Sequence, residues 1–394
     1  MMPKRARLLM MPLQIQRLRI QRSFKSVHLT TIIFLFAFYK IFGRNVDCVE
    51  QTSVDQTNTI PGEHETCAKS QTLIRDGESG EAVFPLTPHR ALLGSIRTEV
   101  YYMLPSDLSD DLKGLVGKAA HAVLVHFHGC NHSGADMFLL PEDRRVAFSA
   151  LKRGFAVLSI SSANKSGRGC WSKSDDLPSL KSTFLEFRNL VGLAEEDAPA
   201  FGMGASSGGS FLFRGAVEEI GLRALASYVS LGPGVVAGGG NYVPTVFVYM
   251  PRDVRNEKVE KVRLSMTPAA TEALAVAPSP FNASVCRSRI PEIAEICDGV
   301  VETLLHRTGL LSETYDLLRR PALADTEILS ELFSQFSVEH SFSDSLPDRD
   351  FKGQSWAIAA VQEELAHAYA RHEMSSEHIE EVLVFFEKHV QLSN

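Results

Sequence analysis

The body of the chain alternates short apolar runs with longer segments that place apolar residues at helical spacing. Apolar runs of about six residues, rich in β-branched and aromatic side chains, are typical of buried strands in a parallel sheet. Strands that alternate with helices indicate the α/β class. The first predicted strand reads as an edge strand or hairpin arm. The predicted strands cover Arg97–Leu104, Ala122–Phe127, Phe155–Ile160, Ala198–Met203, Ala224–Leu231, Thr245–Met250 and Glu272–Ala277.

Helical patterns lie between these strands and after them. Proline in the first turn of Pro141–Arg153 and glycine after each of the first and third helices mark their ends. From Pro291 onward the pattern is mainly helical. We therefore predict a mostly parallel sheet flanked by helices. The individual helices that the pattern predicts cover Pro141–Arg153, Leu177–Gly192, Ser207–Ile220, Ser355–Arg371 and Glu377–Val390.

The N-terminal region has a different pattern. Thr30–Phe42 is an almost unbroken apolar run that follows a basic stretch. Its length is short for a membrane span and typical of a signal segment, and the bases before it favour a cytoplasmic N-terminus. No small-residue cleavage site follows Phe42, which favours an uncleaved signal anchor with the body luminal or extracellular. The acid-free, arginine-bearing stretch before the run leaves an organellar transit peptide as the alternative.

Residues 47–82 are rich in Thr, Glu, Gln, Ser and Gly and contain few large apolar side chains. Such a segment cannot bury enough surface to offset chain entropy, which predicts a flexible stalk. We expect the folded body to begin near Val83. The predicted organisation is a basic head with a signal anchor in 1–46, a stalk in 47–82 and one domain in 83–394.

Charge follows the same division. The 394 residues hold 40 Lys+Arg and 47 Asp+Glu, a net charge of −7. Nine of the bases and none of the acids lie in residues 1–46, so the remainder carries −16. An acidic body without a basic patch argues against a nucleic-acid partner. The balance of 44% hydrophobic and 22% charged residues excludes disordered, collagen-like and multi-pass membrane chains.

Gly204-Ala205-Ser206-Ser207-Gly208 matches G-x-S-x-G between a predicted strand and a predicted helix. This context suits a nucleophile, because a serine on a tight strand-to-helix turn needs small neighbours and gains the free N–H groups of the helix start. Ser206 is the predicted nucleophile. The alternative is an ordinary loop rich in glycine and serine.

The predicted strand Ala122–Phe127 runs directly into His128-Gly129-Cys130. A second oxyanion donor is expected from a loop after an earlier strand. We predict that the backbone N–H groups of Cys130 and Ser207 form the oxyanion hole. His126 and His128 are then packing and loop-shaping residues, and the alternative is that they are ordinary histidines at a strand end.

A serine nucleophile needs a base and an orienting acid, which follow it in the order acid, then histidine. Asp253 follows the predicted strand Thr245–Met250 and is the predicted acid; a helix N-cap is its alternative, compatible role. His372 continues the apolar face of the helix Ser355–Arg371 and lies at a junction before the next helix, which makes it the predicted base. His367 lies on the other side of that helix and is the second choice. The histidines after Asp253 are His306, His340, His367, His372, His378 and His389.

The stretch HFHGCNH also resembles the metal cluster of metallo-β-lactamase-like hydrolases. The Asp-His pair of that pattern falls on Cys130-Asn131 here, and asparagine is a poor zinc ligand. We expect no metal and no cofactor, and a metallohydrolase remains an alternative.

The sequence does not decide whether two pairs of cysteines form disulfides or are free thiols. Cys130 and Cys170 follow successive predicted strands, so both are expected at the same edge of the sheet. In an oxidising lumen they can pair, and otherwise they are free thiols. Cys286 and Cys297 carry the same alternatives. Trp171 either lines the pocket or packs within its loop.

Together these segments resemble the α/β-hydrolase superfamily, and more narrowly a little-characterised plant-type group, over residues 95–390. The motifs that carry the resemblance are HGCNHSGAD (128–136), GASSGG (204–209), MPRD (250–253) and HEMSS (372–376). The resemblance implies Ser206 as nucleophile, Asp253 as acid and His372 as base, and it implies no substrate. The chain departs from the usual plan because 119 positions separate Asp253 from His372, so residues of about 290–350 are expected to be a helical insertion that packs as a cap.

The sequence therefore predicts a serine hydrolase that cleaves a carboxylic ester, thioester or amide of a small acyl substrate through an acyl-enzyme. A non-catalytic ligand-binding protein on the same fold is the alternative, because fold does not fix function.

Overall fold

The computed structural model describes residues 86–108, 119–164, 168–194, 198–230, 243–253, 259, 261–262, 271–335 and 354–390. The predicted anchor, the stalk and the start of the body at Val83 lie outside these ranges. Within them, no helix combines the length and the apolar character needed to cross a bilayer.

Eight strands form one sheet at the centre of the described body. They are β1 (His89–Leu93), β2 (Thr98–Met103), β3 (Ala122–Phe127), β4 (Phe155–Ile160), β5 (Ala200–Ala205), β6 (Leu225–Tyr228), β7 (Thr245–Tyr249) and β8 (Thr271–Ala275). Their order across the sheet is β1-β2-β4-β3-β5-β6-β7-β8. Strands β3 to β8 are parallel, and β2 is antiparallel to both of its neighbours.

This topology confirms the predicted α/β-hydrolase fold. Strands β3 and β4 have the predicted bounds, because each is a six-residue apolar run buried on both faces. Strand β1 was not among the predicted strands. Its sequence, HRALL, begins with two exposed polar residues and pairs only with β2, so it lacks the apolar run that marks a central strand.

Helices cover both faces of the sheet. They are α1 (Asp136–Leu139), α2 (Pro141–Lys152), α3 (Lys173–Val191), α4 (Ser207–Phe211), α5 (Val217–Ile220), α6 (Ala283–Arg289), α7 (Cys297–Glu302), α8 (Leu323–Ser334), α9 (Gln354–Ala368) and α10 (Ile379–Val390). The predicted helix Ser207–Ile220 is divided into α4 and α5 by a π-helical turn at Leu212–Ala216. Gly215 in this turn has a φ of 136°, which explains the break.

The apolar core has one part on each face of the sheet. Side chains of β3 and β5 that point to one face pack with those of α2, α9 and α10. The alternate side chains of β3 and β4 pack with those of α3 and α4 on the other face. The strand alternation therefore decides which helix each side chain of β3 meets.

The late helices α6, α7 and α8 lie between β8 and α9 in the chain, within the predicted insertion or just before it. Ion pairs fasten their first part to α2: Arg289 pairs with Glu142, and Glu292 pairs with Arg144. A disulfide joins Cys286 of α6 to Cys297 of α7. This segment is thus fixed beside α2.

Candidate active site

Ser206 occupies the sharp turn between β5 and α4. Its backbone has φ 51° and ψ −107°, a left-handed conformation that is rare for a residue with a side chain, and its N–H donates to the carbonyl of Tyr228 at 3.0 Å. Gly208 makes this turn possible, because a Cβ there would lie 1.9 Å from the carbonyl oxygen of Phe127. The glycine thus lets α4 start directly against the end of β3.

Three predicted side chains meet at this turn. Ser206 Oγ lies 2.7 Å from His372 Nε2, and His372 Nδ1 lies 2.6 Å from Asp253 Oδ2. The carboxylate can only accept, so Nδ1 carries the proton and Nε2 is left to accept from the serine hydroxyl. Asp253 is buried and His372 is about one-third exposed. The arrangement is that of a nucleophile, a general base and an orienting acid.

The loops that carry the acid and the histidine are bound to each other. Arg252 N–H donates to the carbonyl of Ala370 at 3.1 Å, and the Arg252 guanidinium lies 4.6 Å from the centre of the Tyr369 ring. Ala370 and His372 both have φ near 50°, so the chain turns sharply after α9 ends. His372 therefore lies on the turn between α9 and α10, at the junction where the sequence placed it.

The loop after β3 is built around His128. Its Nδ1–H donates to the carbonyl of Gly129 at 2.7 Å, and its Nε2 accepts the N–H of Ser162 at 3.0 Å. Its own carbonyl accepts the indole N–H of Trp171 at 2.9 Å. Trp171 is buried and stacks on Phe211, so it packs within its loop and the alternative of a pocket-lining side chain is not supported.

A disulfide joins Cys130 to Cys170, which resolves the open alternatives for this pair. Asn131 N–H donates to the carbonyl of Arg168 at 2.6 Å, so backbone and disulfide bonds together hold the loop 129–131 against the loop 168–170. Cys130 and Ser206 line the same cavity. Ser207 opens α4, where a backbone N–H has no intrahelical acceptor.

A cavity of about 330 Å³ opens beside Ser206 and His372. Most residues of its wall are polar or ionisable, and the apolar side chains there are Ala205, Val229 and Met374. Neither the Arg168 nor the Arg320 guanidinium forms an ion pair with another described residue. The ionisable residues of the wall, besides His372 and His128, are His126, His132, Asp143, Arg168, Arg320 and Glu373.

Burial and neighbouring charges shift the pKa values of several of these groups. Burial lowers the pKa of His126 to about 3, so this imidazole is neutral. Burial also disfavours the charged form of His132, but the hydrogen bond to Asp136 and the charge of that carboxylate outweigh it and raise the pKa to about 10. The pKa of Asp143 rises to about 7 through burial, and burial likewise raises the pKa of the neighbouring Glu363.

Glu142 of α2 binds the segment that follows His372 and two arginines. It is fully buried and accepts from the N–H of Ser376 at 2.6 Å and from Arg145 and Arg289. Burial alone would raise the pKa of Glu142, but the nearby charges of His367, Arg289 and Arg145 outweigh it and hold the pKa below its usual value. A carboxylate so placed is a structural anion.

His367, the second choice for the base, lies outside the catalytic arrangement. Its Nε2 bonds to the hydroxyl of Ser375 at 2.9 Å and lies 3.7 Å from Glu142. The sequence placed it on the polar side of α9 with Glu363 and Glu364, yet all three are buried. The reason is that α9 packs against α2 as well as α8, so its polar side faces protein.

The other histidines after Asp253 have their own surroundings. His306 pairs with Glu302 at the surface, His378 bonds to the carbonyl of Ala275, and His389 packs its ring against Phe385. His340 lies outside the described residues.

The alternative metal site does not assemble in the part of the chain that the structure describes. Both ring nitrogens of His128 are used in hydrogen bonds within the loop, and His126 Nδ1 bonds to Ser159 Oγ at 2.9 Å. No group of three or more His, Cys, Asp or Glu side chains in the described ranges could hold a metal ion.

The sequence did not identify the polar wall of the cavity. Asp143 follows Pro141 and Glu142, where acidic residues are expected as exposed partners of a helix N-terminus. Arg168 and Arg320 lie in loops without a motif. The one available signal was His126, which interrupts an otherwise apolar strand.

Comparisons with known proteins gave distant structural matches. No family model matches the chain, and no curated protein matches it significantly. A soluble variant of monoglyceride lipase from Saccharomyces cerevisiae is 12% identical, with a TM-score of 0.36, 49% of this chain covered and 87% of that one. An esterase from Pyrococcus furiosus is 13% identical, with a TM-score of 0.36 and coverages of 56% and 92%. A CIB-like hydrolase from Thermoplasma acidophilum is 16% identical, with a TM-score of 0.35 and coverages of 55% and 98%. These identities and TM-scores are too low to bear on activity or substrate.

Proposed function

We propose that this protein is a serine hydrolase that cleaves a carboxylic ester, thioester or amide through an acyl-enzyme. One observation carries the proposal: Ser206, on a left-handed turn between strand and helix, is hydrogen-bonded to His372, which is hydrogen-bonded to the buried Asp253. Structural serines do not require this chain of two short hydrogen bonds, whereas an activated nucleophile does.

The proposed reaction has two halves. His372 Nε2 takes the proton of Ser206 as Oγ attacks the acyl carbonyl, and the tetrahedral intermediate collapses as the imidazolium protonates the leaving group. Water, deprotonated by the same imidazole, then attacks the acyl-enzyme and releases the acid. Asp253 holds the tautomer that leaves Nε2 free to accept and stabilises the imidazolium in each half.

The backbone N–H groups of Cys130 and Ser207 are the proposed oxyanion donors. Cys130 lies in the wall of the cavity, and Ser207 starts the helix whose positive end faces it. Each such donor stabilises the transition state by about 3–4 kcal/mol in comparable enzymes. The disulfide and the bonds of His128 fix the Cys130 donor in place before substrate binds, which is what electrostatic stabilisation requires.

A fluorophosphonate probe tests the proposal, since it reacts with serine only when a base activates the hydroxyl. We expect labelling of the wild-type protein at Ser206, verified by peptide mass spectrometry, and none of Ser206→Ala. Ser210→Ala is the matched control, because it removes another serine hydroxyl one turn further along the chain, where Ser210 bonds to Ser230 and does not line the cavity. Absence of wild-type labelling under conditions that label a control esterase would favour the non-catalytic binding protein instead.

We further propose that the apolar run of residues 30–42 anchors the chain in a membrane with the hydrolase domain on the luminal or extracellular side. The distribution of basic residues before the run supports this orientation. The two disulfides of the body fit an oxidising compartment. Alkaline carbonate extraction of membranes, combined with protease protection of the body in sealed vesicles, tests it; recovery of the body inside an organelle without membrane association would favour a transit peptide.

A further inference from the structure

One polar atom in the wall of the cavity has no hydrogen-bond partner among the described residues. It is Nε2 of His126, a side chain that is only 1% exposed. The ring is fixed, because Nδ1 bonds to Ser159 Oγ on β4 at 2.9 Å. An unmatched buried nitrogen costs about 1–3 kcal/mol, so its retention calls for a role.

Strand alternation explains why this atom faces the cavity. His126 points to the same face of β3 as Ala122 and Leu124, toward α2. There its nearest acidic oxygen is Asp143 Oδ1, at 3.8 Å, which is too far for a direct hydrogen bond. The imidazole and the carboxyl therefore do not bond each other directly, and both line the cavity that holds Ser206, where one ligand atom beside them could bond to both.

The pair offers both kinds of hydrogen bond without a fixed charge on the imidazole. Burial keeps His126 neutral, so a proton on one nitrogen leaves the other to accept. Asp143 accepts, and donates when protonated, which burial favours. A hydroxyl can donate and accept at once, so it matches these two partners better than an alkyl group, which would leave His126 Nε2 without a partner and Asp143 with only its hydrogen bond to Glu363.

From these contacts we infer that His126 and Asp143 form a subsite for a hydroxyl group of the substrate. The substrate class is then a short ester that carries a hydroxyl group on its acyl side or on its alcohol side. Esters with alkyl chains of the same length bind less well in this cavity. This inference rests on the proposed hydrolase function and names the substrate class of that same site. Sites built to bond a hydroxyl reject analogues without it far more strongly than apolar pockets reject a missing methylene.

Two pairs of esters test the inference. Methyl butanoate and methyl 3-hydroxybutanoate differ by one hydroxyl on the acyl side, and propyl acetate and glycerol monoacetate differ by hydroxyls on the alcohol side. We expect wild-type kcat/KM to favour the hydroxylated member by about tenfold or more in at least one pair. No preference in both pairs, or preference for the alkyl members, would overturn the inference and indicate that the open position holds only a buried water.

Variants assign the preference to these residues. His126→Leu should bring the ratio of the two kcat/KM values close to one, whereas His121→Leu should leave it unchanged, because His121 lies just before the other end of the same strand, away from the cavity. Fluorophosphonate labelling at the wild-type rate shows that a variant keeps its active site. If the fluorophosphonate does not label His126→Leu, the same ratio of kcat/KM values is measured for Asp143→Leu. A labelled variant whose ratio equals that of the wild type contradicts the subsite.

The experiment separates the two proposals. Labelling of Ser206 with no preference for hydroxylated esters removes the subsite and leaves the hydrolase. Absence of labelling together with no hydrolysis of any of the four esters removes the hydrolase first.

Discussion

His372 Nε2 lies 2.7 Å from Ser206 Oγ, although 166 residues separate the two in the chain. If they act as one unit, the effects of removing them should not add. Ser206→Ala and His372→Ala should each reduce kcat by at least about 10⁴-fold, and the double variant should be no slower than the slower single one. Steady-state hydrolysis of p-nitrophenyl acetate measures this.

Ser210→Ala should keep wild-type kcat in the same assay, because its hydroxyl bonds to Ser230 and does not line the cavity. Additive losses in the double variant would mean that Ser206 and His372 serve separate functions. Near-native rates for His372→Ala would show that another group is the base.

Asp253 orients the base, so its charge and its hydrogen bond matter separately. Asp253→Asn keeps the shape of the side chain but can donate to Nδ1, which favours the tautomer with the proton on Nε2. We expect kcat to fall by about 10⁴-fold at neutral pH, with little change in KM. The matching measurement is a pH profile, since Asp253→Asn should recover part of its rate as hydroxide replaces the base. A loss confined to KM would point to a role in substrate binding instead.

The disulfide Cys130–Cys170 should affect activity more than stability alone predicts. It closes a loop of 40 residues and holds the proposed oxyanion donor, whereas Cys286–Cys297 spans 11 residues away from the cavity. Loop closure predicts losses of about 4 and about 3 kcal/mol respectively. Cys170→Ser should lower kcat at a temperature where the protein is still folded by circular dichroism, and Cys297→Ser should not. Equal effects on kcat would mean that the first disulfide acts only through stability.

The raised pKa of Asp143 predicts how the stability of the protein changes with pH. Its pKa in the folded protein, about 7, lies above the value of an exposed aspartate. A raised pKa contributes stability that is complete below about pH 4 and is lost as the pH rises through 7. The titratable groups around it are His126, His132, Asp136, Tyr228, Glu363 and Glu373. Between pH 5 and pH 8 the melting temperature of Asp143→Asn should therefore fall less than that of the wild type; calorimetry that finds parallel curves would contradict the raised pKa.

Glu142 should be essential for the stability of the described body. It accepts hydrogen bonds from Arg145, Arg289 and the N–H of Ser376, so Glu142→Ala removes the anion that these two guanidinium groups and this backbone donor share. We expect a loss of about 3 kcal/mol in the free energy of unfolding, at the lower end of the range for broken buried pairs, because Arg145 keeps its bond to the carbonyl of Ser288; urea titration measures it. Glu387→Ala is the control, because that carboxylate pairs with Arg153 at the surface, and its loss should stay below about 1 kcal/mol. Similar losses for both would indicate that the burial of Glu142 contributes little.

The sequence predicted the fold well because strands such as β3 and β4 are apolar runs with one polar residue each, which have few alternatives. It also indicated which three side chains meet, because G-x-S-x-G fixes a turn and a strand end fixes Asp253. It could not foresee that α9 would be buried on its polar side, since the partners there, Glu142 and the arginines, come from distant segments. The sequence did not reveal the polar cavity wall for the same reason: Asp143 is buried by distant segments, and Arg168 and Arg320 lie in loops without a local pattern.

The long separation between nucleophile and base has a consequence for synthesis. Ser206 and its turn can form once β3, β5 and β6 have paired, but His372 depends on α9 and on the bond between Ser376 and Glu142. During translation Ser206 is therefore made 166 positions before its base, and because domains generally fold as units, the complete site forms only after the last helices have been made. Nascent chains that stop short of residue 372 would carry an unreactive serine, so the capacity to hydrolyse would report that the body has been made through to its last helices.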